Sequence, residues 1–135
     1  RGSETGETPS ASKAARPTRY GIAFCLFDDG GRLLLQRRPE KGLLGGMMEV
    51  PSTPWREEAW QAEDVAQYAP VTTDWQAVPG TVVHVFTHFR LELTVHTGAG
   101  DRKTKGGEIW QAPEDLGELA LPTVMKKVLR HGLKL

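Results

Sequence analysis

Cysteine is almost missing from this chain: Cys25 is the only one in 135 residues. One thiol closes no internal disulfide and cannot hold a cysteine-ligated iron–sulfur cluster, and such scarcity fits a reducing compartment. Net charge is missing too, because 17 Lys and Arg balance 17 Asp and Glu. No global basic field therefore draws in nucleic acid, and any grip on phosphate must come from a local patch or a partner domain. No apolar run approaches the roughly 20 residues that cross a bilayer, and the N-terminus has no signal-peptide core. A cytoplasmic, monomeric protein with no membrane contact is expected. Neither the Walker pattern nor a dinucleotide fingerprint occurs, and no His/Cys/Asp spacing marks a metal site.

What is present is an ordinary domain composition, with 39% hydrophobic and 25% charged residues over a length sufficient for one core. Its most organised stretch is residues 80–97, GTVVHVFTHFRLELTVHT. Val83, Val85, Thr87, Phe89, Leu91, Leu93 and Val95 share one parity and read as a buried face. His84, Phe86, His88, Arg90, Glu92, Thr94 and His96 share the other. This alternation predicts a β-strand, or a bent pair of strands. Phe86 is the exception on the polar face. A ring among histidines and an arginine can stack on a base while cations hold phosphate. It can equally pack beneath a loop on a smaller core.

The rest of the chain falls into order around this stretch. Residues 1–16 are rich in Ser, Thr, Pro, Ala and Gly and predict a flexible linker or tag ahead of a domain over 17–135. That segment turns basic at Lys13, Arg16 and Arg19, which could graze phosphates. Tyr20 to Phe27 predicts a buried strand, Asp28 to Gly31 a hairpin turn, and Arg32 to Arg38 the returning strand. Met47, Met48 and Val50 allow a short strand. Thr53 as N-cap before Pro54 predicts a helix of about three turns towards Tyr68. Asp74 to Val78 predicts a short strand before a Pro79-Gly80 turn. A basic loop over 98–107, a strand at Glu108 to Gln111 and one helical turn at Pro113 to Leu116 follow. Pro122 to His131 predicts a final helix with Val124, Met125, Val128 and Leu129 as its apolar stripe and Gly132 as its cap. Trp55, Trp60, Trp75, Trp110 and Cys25 read most simply as packing residues. Strands interleaved with two helices make the fold class α+β, a mixed sheet with helices against it.

Gly42 to Pro51 is by itself only a weak hint of a phosphate cradle. In order, though, the strand, the Asp-Gly-Gly turn, LLLQRRP, the glycine-rich loop, GMMEVP and a helix resemble the first half of a Nudix hydrolase. The resemblance implies a Nudix-like sheet and a following helix that bears Arg-Glu-x-x-Glu-Glu. Those carboxylates hold divalent metal ions, since hard cations need converging oxygen ligands. Glu57, Glu58, Glu63 and Asp64 stand in the matching segment at a different spacing, and Pro-Ser-Thr-Pro stands where Pro-Gly-Gly is usual. The expectation is a Nudix-like scaffold lacking the metal-binding motif. A Nudix-type hydrolase of oxidised nucleoside di- or triphosphates is the alternative.

With both halves read, RRPEKGLLGGMMEVPSTPW, VPGTVVHVFTHFRLELTV and LPTVMKKVLRHGL together resemble the C-terminal domain of MutY-type adenine DNA glycosylases, from about Arg16 to the end. This implies a domain that does no chemistry itself and reads 8-oxoguanine paired with adenine in double-stranded DNA, in base excision repair. The upstream catalytic domain, with its four-cysteine 4Fe–4S cluster, would be its intramolecular partner. The family's Phe-Ser-His motif matches Phe86, Thr87 and His88, with threonine for serine. Oxidation at C8 makes guanine N7 an N–H donor, so a hydroxyl oxygen at Thr87 could accept from the lesion and not from guanine. Strand parity places Thr87 on the apolar side, which a bulge or bend near Phe86 to Phe89 would resolve. Arg37, Arg38, His84 and Arg90 are the candidate phosphate contacts, against a plainer reading as solvated polar residues.

Overall fold

The computed structural model describes residues 16–133, so most of the expected linker lies outside the described residues. Strand β1 (Thr18–Phe27) is the centre of the sheet. Its residues from Gly21 to Leu26 are buried on both faces, as an uninterrupted apolar run requires. Asp28 then closes a tight turn: its Oδ1 accepts from the Gly30 and Arg32 amides at 3.0 and 2.8 Å, and Gly31 takes φ +78°. The chain returns as β2 (Leu33–Arg37), whose three leucines are fully buried. Strands β3 (Met48–Glu49), β4 (Gln76–Val85), β5 (Arg90–Ala99) and β6 (Glu108–Gln111) complete a sheet ordered β3-β2-β1-β5-β4, with β6 also on β2. Only the β1–β5 pair is parallel, so the sheet is mixed as expected.

Helix α2 (Thr123–Leu133) lays Val124, Met125, Val128 and Leu129 on the core, the stripe its spacing predicts. Gly132 does not end this helix. A Cβ there would sit 3.1 Å from both Cys25 Sγ and Val95 Cγ1, so the missing side chain lets the helix press onto the sheet. Cys25 is fully buried at that contact, and burial pushes its thiol up to about 12, which leaves it inert at neutral pH. A 3₁₀ turn over Pro113–Glu118 seats Leu116 in the same core. No helix among the described residues is long and apolar enough to cross a membrane.

Three further expectations need correction. The helix from Pro54 towards Tyr68 shrinks to α1 (Asp64–Tyr68), because β1 claims the residues before it. β1 meets β2 only at Phe27–Leu33, and residues 51–56 fill the edge left open. Phe24 N donates to Pro51 O at 2.8 Å, and Tyr20 and Arg56 exchange backbone hydrogen bonds. Thr53, expected as an N-cap, is buried and its Oγ1 accepts from Ile22 N at 3.0 Å. Second, Pro79-Gly80 is not a turn but a bulge inside β4, where Pro79, Gly80 and Thr81 face the single residue Thr94. Gly80 has φ +95° there. Third, residues 80–97 are the bent pair of strands rather than one strand, joined by a hairpin, and the expected parity holds only in the second. Leu91, Leu93 and Val95 are buried, whereas Val85 is 51% exposed and Val82 takes the core position on β4.

Candidate nucleic-acid interface

The hairpin between β4 and β5 carries the motif. Phe86 N donates to Phe89 O at 2.8 Å, which leaves Thr87 and His88 as a two-residue tip, both exposed. The bend thus takes Thr87 off the apolar face to which strict alternation assigned it. Phe86 does not point outward with them. Its half-buried ring stacks on Trp55 at 6.1 Å between centroids and 26° between planes, and meets Phe89 at 4.8 Å. His84 closes the other side, edge to face, at 4.7 Å. The tip is therefore mounted on a small aromatic cluster packed against the main core.

Cations ring this cluster. Arg19 lies 4.5 Å above the Phe89 ring and Arg38 lies 4.9 Å above Trp55. Arg16, exposed, donates from Nε to Thr87 O at 3.0 Å, so the basic end of the N-terminal segment does reach the hairpin tip. Arg19, Arg38, Glu49, Ser52, Thr53 and Trp55 border a concavity of about 270 Å³ beside the cluster.

The four candidate phosphate contacts fare differently. Arg37 and Arg90 are exposed, Arg37 donating to Gly46 O at 2.7 Å and Arg90 to Glu92 Oε2 at 3.1 Å. Arg38 is committed inward: its Nη1 pairs with Glu49 Oε1 at 2.6 Å and its Nε donates to Leu43 O at 3.0 Å. His84 is half-buried, with Nδ1 3.1 Å from Lys127 Nζ of α2. An ammonium only donates, so His84 accepts there and is neutral. Sequence reading missed Lys127 at this edge because it reaches His84 across 43 residues, and helical periodicity marks it only as polar. The structure thus groups Thr87, His88, Phe86 and His84 at one edge, with Arg90 opening the strand that follows. Arg37 sits on β2, two strands from β5 in the sheet.

Burial first, and the Lys127 charge second, hold His84 below the ordinary histidine value, and burial does the same for His96. A proton is therefore taken up more readily by the unfolded chain. Stability should be insensitive to pH above the unfolded value of about 6.5 and should fall as pH drops below it. Melting curves across that range should show a falling midpoint, with a smaller fall in His84→Gln; a midpoint that rises on acidification would contradict it.

The acidic residues do not build a metal centre. Glu57, Glu58 and Glu63 are exposed and lie outside α1, and no group of three or more His, Cys, Asp or Glu that could hold a metal ion occurs among the described residues. The side chains present do not fit the divalent ions of a Nudix hydrolase.

Comparisons with known proteins identify the fold and the family. A NUDIX domain model matches residues 22–131. The human adenine DNA glycosylase is 32% identical over 87% of this chain and the rat enzyme 33% over 87%; the chain spans about a quarter of their lengths, 25% and 26%. Among solved structures, the C-terminal domain of mouse MUTYH, crystallised in complex with human PCNA, superposes with a TM-score of 0.68 at 28% identity, covering 84% of this chain and 86% of that one. A MutT protein from Methanosarcina mazei Go1 superposes at 0.66 with 20% identity, covering 86% and 94%, which speaks for the fold alone. The chain belongs to the NUDIX domain family, and in sequence and shape it is similar to the C-terminal domain of adenine DNA glycosylases.

Proposed function

We propose that this chain is a lesion-reading domain: it recognises 8-oxoguanine opposite adenine in duplex DNA and presents the mispair to an adenine-excising catalytic domain of the same protein. The observation that carries this reading is the exposed Thr87–His88 tip, set on an aromatic base and flanked by arginines. With its own proton donated elsewhere, Thr87 Oγ1 would accept from the N7–H that only the oxidised base offers, while guanine would then present a lone pair to a lone pair. His88, exposed beside it, would donate to an edge of the lesion or to phosphate. Phe86 supports the tip from beneath rather than wedging into the helix. In this reading the iron–sulfur cluster and the glycosidic-bond chemistry belong to the catalytic domain. Similarity to adenine DNA glycosylases supports the reading, whereas the hydrolase alternative lacks converging carboxylates among the described residues. A protein partner would be in keeping with the mouse domain crystallised with human PCNA.

The test is Thr87→Val, which keeps the branched shape and removes the hydroxyl. One hydrogen bond made or frustrated is worth roughly 1–3 kcal/mol, so the preference for an 8-oxoguanine–adenine duplex over a guanine–adenine duplex should fall about tenfold, through the lesion duplex alone. Equilibrium titrations of both proteins with both duplexes decide it. A valine variant with undiminished preference would remove Thr87 from the reading.

A further inference from the structure

Helix α2 carries Lys126, Lys127, Arg130 and His131 and no acidic residue in its sequence TVMKKVLRHGL. In a chain of zero net charge this is a local basic face. Lys127 Nζ is fixed at the edge of β4 by two acceptors, Val83 O at 3.2 Å and His84 Nδ1 at 3.1 Å. An ammonium has three protons, so a third donor is left over on a side chain whose position is already set. Arg130, one turn further along α2 and exposed, borders with Lys127, Val82, Val83 and His131 an open concavity of about 350 Å³ into which no carboxylate projects. Contacts run without a break from Lys127 to the His84 ring, from His84 to Phe86, and from Phe86 to the Thr87–His88 tip.

We propose that Lys127 and Arg130 hold the sugar–phosphate backbone of the duplex whose lesion meets the hairpin tip; this rests on the lesion-reading function above. The pair supplies a point charge and a planar fork, the lysine and arginine forms of phosphate contact. His84, neutral, orients the lysine and does not itself bind the anion. Such a contact positions DNA and carries no sequence or lesion information.

The experiment is fluorescence anisotropy of the full chain with labelled 8-oxoguanine–adenine and guanine–adenine duplexes across a potassium chloride series. Arg130→Gln and Lys127→Gln should each weaken binding of both duplexes several-fold at low salt and leave the ratio between them unchanged. Each single variant should reduce the slope of log affinity against log salt by about one, and the double variant by about two. Lys127→Arg should restore most of the affinity. Lys103→Gln, beyond the far end of β5 from the hairpin, should change nothing. Unaltered affinity and slope in the double variant would overturn the proposal, as would a lowered melting temperature with no change in slope, the mark of a purely structural lysine. Retained lesion preference with no Lys127 effect would sink this proposal alone. A Lys127 and Arg130 effect without lesion preference would sink the lesion reading alone, and no binding of either duplex would sink both.

Discussion

Gly21→Val is expected to destabilise the protein by about 3 kcal/mol, a fall in melting temperature of roughly 10 °C, and to loosen the hairpin tip as well. Gly21 is buried in the middle of β1, and even a Cβ there would lie 2.7 Å from Trp55 Cδ1 and 2.8 Å from Leu93 Cδ2. Leu93 is locked in the core, so the indole must yield. Trp55 is the platform on which Phe86 stacks and over which Arg38 lies. Displacing it couples a packing defect in the sheet to the geometry of Thr87 and His88. Thermal melts and hydrogen exchange at the hairpin amides read both effects. A valine variant that melts within a degree or two of the parent would show that the indole has room to move, and would remove the coupling.

Glu49→Ala should cost a similar amount, about 3 kcal/mol, because it leaves a charged partner behind rather than removing a pair. Glu49 is 7% exposed and bridges two residues of the neighbouring strand region: Oε1 accepts from Arg38 Nη1 at 2.6 Å and Oε2 from Gln36 Nε2 at 2.8 Å. Gln36 is also its direct partner across the β2–β3 ladder. Without the carboxylate, a largely covered guanidinium and an amide lose their acceptors together. Glu49→Gln keeps one acceptor and should cost less than half as much. In a double-mutant cycle, adding Arg38→Met to Glu49→Ala should recover part of the loss, since the stranded cation is then gone. Chemical denaturation measures the four proteins of the cycle and Glu49→Gln; an alanine variant within about 0.5 kcal/mol of the parent would contradict the buried-pair reading.

Much of this architecture was legible from residue order alone. The β1–β2 hairpin, β6 and α2 fell where periodicity and turn chemistry put them, because each is fixed by local patterns. The errors share a physical cause in long-range pairing. Thr53 to Trp60 has the cap and acids of a helix start, yet Tyr20 and Ile22 need partners along the open edge of β1, and tertiary pairing outweighs propensity. The parity of residues 80–97 misled for a geometric reason. Across the hairpin, His84 pairs with Leu91 and Val82 with Leu93, so residues on one face have opposite parity on the two strands. A single alternation read straight through the turn therefore inverts one strand. It put His84 and Phe86 on an outer face, when they lie on the side of Leu91 and the core. The hairpin tip itself was accessible to sequence through the Phe86-Thr87-His88 resemblance. Its supports were not: Trp55 and Lys127 arrive from 31 and 43 residues away, measured to Phe86 and His84, and only the folded sheet brings them there.

The most direct measurement is an NMR titration of the isotopically labelled chain with two short duplexes at low salt, one with an 8-oxoguanine–adenine pair and one with a guanine–adenine pair. Lesion reading predicts amide shifts centred on Phe86, Thr87 and His88 that are larger for the lesion duplex, with shifts at Lys127 and Arg130 that are equal for both. Equal shifts at the hairpin tip for the two duplexes, or none there at all, would contradict it.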